Sequence, residues 1–157
     1  MKKITICGIA LFLMLLSFIL IGCPTEDEDS PSVVGITFVD NLTNPAKELV
    51  INNNLSFSVK FIEPNALEAG FNVGPGDVIS GKIIEATAAW NRDLTGVATQ
   101  MSSTNSTFAS VLPAIDVVIS LDYTEVNGEI TAIELALEGT GVAAIANTLM
   151  GGTYVRK

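Results

Sequence analysis

The 157-residue chain contains no histidine and only two cysteines, Cys7 and Cys23. The absence of histidine excludes a Ser-His-Asp triad and removes the most common general base and metal ligand. The sequence also lacks a phosphate-binding glycine loop, a dinucleotide-binding glycine pattern and an EF-hand spacing. These absences predict a protein that is not an enzyme and that uses no cofactor or metal. Paired carboxylates of the glycosidase type are the one common chemistry that they leave open.

Basic residues are scarce as well, with 8 Lys and Arg against 17 Asp and Glu, which gives a net charge of −9. A chain this acidic repels nucleic acid and anionic lipid head groups. We therefore expect no nucleic-acid partner, and no membrane attachment through a basic patch.

The chain has one long apolar run, Ile4–Ile21, which follows Lys2 and Lys3 and ends in Leu20-Ile21-Gly22-Cys23. A positive start followed by an apolar run is typical of a secretory signal peptide. The last four residues resemble the lipobox of bacterial lipoprotein signal peptides. The resemblance implies cleavage between Gly22 and Cys23, and lipidation of Cys23 with acyl chains such as palmitate. The alternative is an uncleaved membrane helix, since about 17 to 25 apolar residues can span a bilayer.

This resemblance divides the chain into a signal peptide (1–22), a lipidated cysteine with an acidic tether (23–32) and a β domain (33–157). The tether carries four consecutive acids and predicts a disordered spacer. Without Lys2 and Lys3, six basic residues face 17 acids, so the cleaved chain carries a net charge of −11. It retains a single cysteine, which excludes an internal disulfide.

The lipobox and this plan resemble small bacterial envelope lipoproteins of the spirochaete kind. The resemblance implies a lipid-anchored protein of the bacterial cell envelope, with the membrane as partner through the lipid on Cys23. Pro24 stands where an Asp commonly retains lipoproteins at the inner membrane, which favours the outer membrane.

The β domain begins with short strands. Leu55, Phe57, Val59 and Phe61 alternate with polar residues, which predicts a strand with one buried face. Val33–Val39 predicts a first strand, whereas Asp40–Asn54 is mostly turn chemistry around a short apolar Leu49–Ile51. Further strands are predicted at 95–101 and 153–155.

The segment Asp77–Trp90 fits two structures. As a helix it would align Ile79, Ile83, Ala86 and Trp90; as a strand it would align Ile84, Ala86, Ala88 and Trp90. Gly81 inside the segment and the strands on both sides favour a strand.

A long hairpin is predicted from Ile115 to Leu137. Its buried faces are Ile115, Val117, Ile119, Leu121 and Tyr123, and Ile133, Leu135 and Leu137. A two-residue turn at Asn127-Gly128 would place Leu121 opposite Glu134, whereas a three-residue loop places it opposite Ile133. We therefore predict a type I turn with a G1 bulge and Gly128 in the left-handed region.

Apolar residues at three- and four-residue spacing predict a short helix over 142–150 that stops at Gly151. The fold class is therefore mainly β: a single antiparallel β-sandwich or small β-barrel with a short C-terminal helix.

Few side chains are candidates for a site. Asp40 with Asn41, or Asp116 with Asp122, could bind a cation. Trp90 is either a binding anchor or part of the core, and we favour the core. Three Asn-X-Ser/Thr triplets, at Asn41, Asn54 and Asn105, are interpreted as turn residues.

Two classes of function follow. The first is a non-enzymatic module that binds a protein or polysaccharide, or supports the envelope. The second is a carrier of a small apolar ligand in a lipocalin-like barrel plugged by the 142–150 helix. A continuous apolar cavity of about 300 Å³ or more would favour the carrier.

Overall fold

A computed structural model describes residues 32–42, 45–66, 72–88 and 93–157. Within these ranges the chain forms ten β-strands and two α-helices. The strands are β1 (Thr37–Asp40), β2 (Lys47–Asn52), β3 (Ser56–Phe61), β4 (Asn65–Ala66), β5 (Asn72–Val73), β6 (Val78–Ile84), β7 (Leu94–Ser103), β8 (Val117–Val126), β9 (Glu129–Glu138) and β10 (Gly152–Arg156). The helices are α1 (Ser106–Ala109) and α2 (Val142–Met150), and 3-10 turns cover Asn53–Leu55 and Leu112–Ala114.

Eight strands close into an antiparallel barrel in the order β1-β10-β9-β8-β7-β6-β3-β2. Most neighbours in space are also neighbours in sequence, and the first and last strands close the wall, with Val39 opposite Val155. Strands β4 and β5 pair only with each other, in the connection between β3 and β6. The prediction of a mainly β fold with a short C-terminal helix is confirmed, and of its two architectures the barrel is the one formed.

Alternation along the strands builds the core. In β3 the predicted inward residues Phe57, Val59 and Phe61 are buried, and the same period places the apolar residues of β8 and β9 inside.

Gly81 of β6 lies opposite Phe57. A Cβ at Gly81 would lie 2.8 Å from ring atom Cε1 of Phe57, so glycine is needed to leave room for this ring.

One end of the barrel is covered by helices. This is the end where β7 leads through α1 and the Leu112–Ala114 turn into β8, and where β9 leads through α2 into β10. Helix α2 has the predicted bounds and packs on β9. Its buried residues are Ala143, Ala146, Leu149 and Met150.

The first two strands differ from the prediction. Strand β1 starts at Thr37 rather than Val33, because Gly35 turns the chain with a φ of +76° and Val34 forms only an isolated bridge to Ile51. Strand β2 spans six residues of a segment predicted to be mostly turn. The segment forms a strand because Lys47, although charged, points inward with the apolar residues that follow it.

The ambiguous segment after Asp77 forms a strand, β6, as favoured. The predicted alignment of Ile84 with Ala86 and Ala88 is wrong, because the strand ends at Ile84 and Glu85 adopts a φ of +53°. Ile84 points outward and is 40% exposed. Trp90 lies outside the described residues.

The turn of the β8–β9 hairpin is shorter than predicted. Asn127 and Gly128 both have positive φ, +55° and +80°, and Val126 pairs with Glu129. These are the features of a two-residue type I′ turn. The three-residue loop is therefore wrong, whereas the left-handed conformation of Gly128 is confirmed.

The buried faces of this hairpin still match, because β9 contains a bulge. Thr124 pairs with Ala132 while Glu125 pairs with Ile130, so Thr131 is the extra residue. Beyond the bulge Leu121 lies opposite Leu135, not opposite the predicted Ile133. The bulge thus shifts the pairing by one residue in the opposite direction from the predicted loop, and both shifts place apolar residues opposite each other.

Candidate functional site

The inner face of the barrel is filled by side chains. Residues with 0% exposure come from strands around the whole wall: Phe38, Leu49, Ile51, Val59, Phe61, Ile79, Ile119, Leu121, Ile133 and Tyr154. An internal space wide enough for a water molecule would expose the side chains that line it. These inward-facing side chains therefore border no such space, as expected for a barrel of eight strands, whose interior is just wide enough for side chains.

An ion pair is buried at the helix-covered end of the barrel. Asp40, at the end of β1, lies opposite Lys47, at the start of β2. Lys47 Nζ is 3.1 Å from Asp40 Oδ2, and both side chains are 0% exposed. The second carboxylate oxygen accepts a hydrogen bond from the backbone N–H of Leu42 at 3.0 Å.

The pair extends to β10 and α2 through one tyrosine. Lys47 Nζ lies 5.6 Å from the ring centroid of Tyr154, within the range of a cation–π interaction. The Tyr154 hydroxyl donates to the backbone carbonyl of Met150, in the last turn of α2. The ion pair and Tyr154 thus connect three strands and the helix.

Burial sets the protonation of this cluster. Burial lowers the pKa of Lys47, while the hydrogen bond and charge of Asp40 act in the opposite direction. Burial, together with the charge of Asp40, raises the pKa of Tyr154 well above its usual value. A lysine with a lowered pKa can act as a nucleophile. Here no solvent reaches the amine, so the arrangement holds the fold rather than presenting a reactive group.

A second tyrosine lies on the inner face of β8. Tyr123 opposes Ile133, and its hydroxyl is buried without a hydrogen-bond partner among the described residues. Its backbone N–H donates to Asp93 Oδ1 at 2.7 Å. Burial, and secondarily the charge of Asp93, raises the pKa of Tyr123 far above its usual value. A buried hydroxyl of this kind is a destabilising feature of the core.

A groove of about 390 Å³ lies on the outside of the barrel, across β10, β1 and β2. Its apolar lining is Val39, Ile62 and Val155, and its polar lining is Asn41, Glu48, Arg156 and Lys157. Val155 is 51% exposed and Ile62 is 41% exposed. Lys157 Nζ binds Glu48 Oε1 at 2.8 Å across the groove. The groove therefore combines exposed aliphatic side chains with two basic groups.

The candidate cation sites do not form. The carboxylate of Asp40 binds Lys47 and is buried away from Asn41, which is exposed. Asp116 and Asp122 are six residues apart along an extended segment, or about 20 Å. No group of three potential metal-binding side chains occurs among the residues that the structure describes.

Asn105 has the turn role predicted for it. Its side-chain oxygen accepts from the N–H of Thr107 and so caps α1, and its amide group donates to Asp77 Oδ2 at 2.8 Å. Asn54 adopts the left-handed conformation in the turn between β2 and β3. These asparagines shape turns, as interpreted from the sequence. The predicted lipidation and cleavage residues, Cys23 and Gly22, lie outside the described residues, as does Pro24.

Sequence reasoning missed the buried ion pair. The signal was present, because Lys47, Leu49 and Ile51 share one face of a strand, and a charge on an apolar face requires a partner. In the sequence Asp40 begins a stretch of turn residues and resembles a cation ligand, so it is not evident as the partner of Lys47.

Comparisons with known proteins give no relative: no family model, no curated protein and no solved structure matches this chain. Among the helices in the described part of the chain, none has the length and apolarity needed to span a bilayer.

Proposed function

We propose that this chain is a lipid-anchored protein of the bacterial cell envelope. Its barrel is a non-enzymatic module that binds a partner, or supports the envelope, through its outer surface. The observation that carries the proposal is the filled interior. Side chains with 0% exposure line the barrel on all sides, so binding falls to the outer wall.

The anchor is supported by the sequence alone. Leu20-Ile21-Gly22-Cys23 closes the only long apolar run, and it stands ten residues before the barrel domain at Val33. The absence of histidine supports a non-enzymatic role, because the usual general base and metal ligands are lacking. The partner class remains a protein or a polysaccharide, reached on the envelope surface or in the periplasm.

Barrel closure supports a second candidate, a carrier of a small apolar ligand. An eight-stranded barrel can hold one small ligand, and α2 covers one end of this barrel as the plug of such a carrier would. A carrier would have to displace several buried aromatic side chains, such as Phe57 and Phe61, before a ligand could enter. The packing therefore favours the binding module.

A fluorescent fatty acid separates the two candidates. The binding module predicts no saturable increase in fluorescence and no ligand retained during gel filtration. The variant Phe57→Ala is the matched control, because removal of the ring opens space beside Gly81 and should create weak binding where the parent has none. Saturable one-to-one binding by the parent protein would favour the carrier.

The two cysteines provide a matched test of the anchor. In bacteria supplied with an alkyne-tagged palmitate, Cys23→Ala should abolish labelling and leave the apolar run uncleaved. Cys7→Ala should change neither, because Cys7 lies inside the run. An N-terminal peptide that begins at Met1 with unmodified Cys23 would show that the run is a membrane helix instead.

A further inference from the structure

The charges on the outer wall of the barrel are separated into two flanks. The basic flank is the outer face of β6, β3, β2, β1 and β10, which are consecutive in the barrel. Its charged residues are Lys60, Lys82, Lys157 and Glu48, with Asp77 just before β6 and with Glu63 and Glu85 just after β3 and β6. Arg156 lies opposite the inward-facing Phe38, at the end of the barrel away from the helices. The three lysines are exposed, whereas Glu48 is half-buried.

The acidic flank is the outer face of β8 and β9. Its charged residues are Asp122, Glu129, Glu134 and Glu138, all exposed, and neither strand contains Lys or Arg. Strand β7, which separates the flanks on one side, has no charged residue. On the other side the flanks meet at the ion pair between Arg156 and Glu129, at 3.4 Å.

We propose that the basic flank faces an anionic membrane surface when the barrel is anchored through Cys23, with the acidic flank pointing away. This inference rests on the proposed anchor. The groove between β10 and β2 lies in the basic flank, and its exposed Val155 and Ile62 supply aliphatic contacts at the head-group level.

The length of chain before the barrel makes the membrane the nearest partner. Nine peptide units separate Cys23 from Ser32, and fully extended they span about 30 Å. A domain of this size has a radius of gyration of about 14 Å. The anchored barrel therefore cannot move from the bilayer by more than about its own diameter, and one side of it must face the head groups.

The net charge acts on binding of the free domain to a membrane, whereas the separation of charge into two flanks acts on the orientation of the anchored domain. The net charge of the cleaved chain, −11, repels an anionic bilayer and opposes binding of an unanchored domain. Once the anchor holds the barrel close to the bilayer, the barrel can still rotate relative to the membrane surface. Rotation is governed by the difference between flanks, because charges beyond a Debye length of about 8 Å are screened. The same protein can thus fail to bind vesicles when free and still adopt one orientation when anchored.

The orientation can be measured with a chemical anchor. The chain from Cys23 onward contains the whole barrel and one cysteine, so it can be coupled to vesicles that carry a maleimide lipid. Lysine acetylation rates, read by mass spectrometry, are compared on phosphatidylcholine vesicles with and without phosphatidylglycerol. Lys60, Lys82 and Lys157 report the basic flank, and buried Lys47 reports that the barrel stays folded.

On the anionic vesicles we expect acetylation of the three flank lysines to slow by about threefold or more, and the effect to disappear in high salt. Carbodiimide labelling of Glu134 and Glu138, on the other flank, should not slow. Equal lysine rates on both kinds of vesicle would overturn the proposal, as would slower labelling of the acidic flank.

A matched pair of variants separates charge position from net charge. Lys60→Gln with Lys82→Gln removes two positive charges from the basic flank and should abolish the slow acetylation of Lys157. Ser120→Glu with Thr124→Glu makes the same change in net charge on the outer face of β8, and should leave Lys157 slow. If both pairs abolish the effect, the distribution of charge is not its cause. Because the maleimide supplies the anchor, these results do not depend on lipidation in cells, and the palmitate experiment tests that separately.

Discussion

Two parts of the barrel wall differ in the kind of side chain that they bury on their inner faces. Where β10, β1 and β2 meet, the inner face contains an ion pair, Asp40 with Lys47, and the tyrosine Tyr154 that binds the end of α2. In the β8–β9 hairpin the inner face from Val117 to Tyr123 and from Ile133 to Leu137 is apolar except for Tyr123. The first part depends on polar partners for its stability, whereas the second depends on register and packing.

The difference reflects how each part is joined in sequence. Strands β8 and β9 follow each other through a two-residue turn, so local alternation and one bulge fix their register. Strands β1 and β10 come from opposite ends of the domain. A buried polar cluster with defined partners is suited to fixing one arrangement of such distant strands, as buried polar groups do in some other folds.

The largest effect should come from breaking the ion pair. Asp40→Ala removes the carboxylate that Lys47 binds in a site without solvent, and breaking a buried pair in this way costs about 3–5 kcal/mol. The expected result is a large fall in the urea midpoint. Asp122→Ala, an exposed carboxylate on β8, is the matched control and should change stability little.

The double variant Asp40→Leu with Lys47→Met sharpens the same comparison. It removes both charges while keeping similar volumes, so we expect stability near that of the parent or above it. If the double variant is as unstable as Asp40→Ala, the loss is due to packing and the ion pair is not its cause.

The two tyrosines should respond differently to loss of the hydroxyl. Tyr154→Phe removes the donor to the Met150 carbonyl and should destabilise the fold by about 1–3 kcal/mol. Tyr123→Phe removes a buried hydroxyl that has no partner among the described residues, and should be neutral or stabilising. Denaturant midpoints of the two variants, measured side by side, test this. Equal losses would mean that the hydroxyl of Tyr123 is hydrogen-bonded.

Each part was predictable from sequence to the extent that its determinants are local. The period of β3, the faces of β8 and β9, and the helix before Gly151 depend on spacing within one segment, and the structure confirms them. The bulge at Thr131 was not predictable, because a loop and a bulge produce the same alternation of faces. Strand β2 was missed because Lys47 looks like a surface residue until its partner on β1 is known.

A substitution in the turn of the β8–β9 hairpin should have the next largest effect on stability. Gly128 adopts a φ of +80°, which a β-branched residue strongly disfavours, although a side chain there would have open space. Gly128→Val should therefore destabilise the domain by about 1 kcal/mol or more through backbone strain alone. Thermal unfolding measures the change, and Gly128→Asn is the control, since asparagine tolerates this conformation. An unchanged melting curve for Gly128→Val would contradict the left-handed turn.

The smallest expected effect on stability comes from charged pairs on the outer faces of these two parts of the wall. On β2 and β3, Glu48 lies opposite Lys60, whereas on β8 and β9, Asp122 lies opposite Glu134. Opposite charges at such positions stabilise and like charges destabilise a sheet, each by about 0.2–1 kcal/mol. Glu134→Lys should therefore raise the urea midpoint, and Lys60→Glu should lower it. Both changes should shrink in salt of about 1 M, where the screening length falls to about 3 Å. Shifts of the same sign, or shifts that survive high salt, would mean that packing rather than charge separates these two faces.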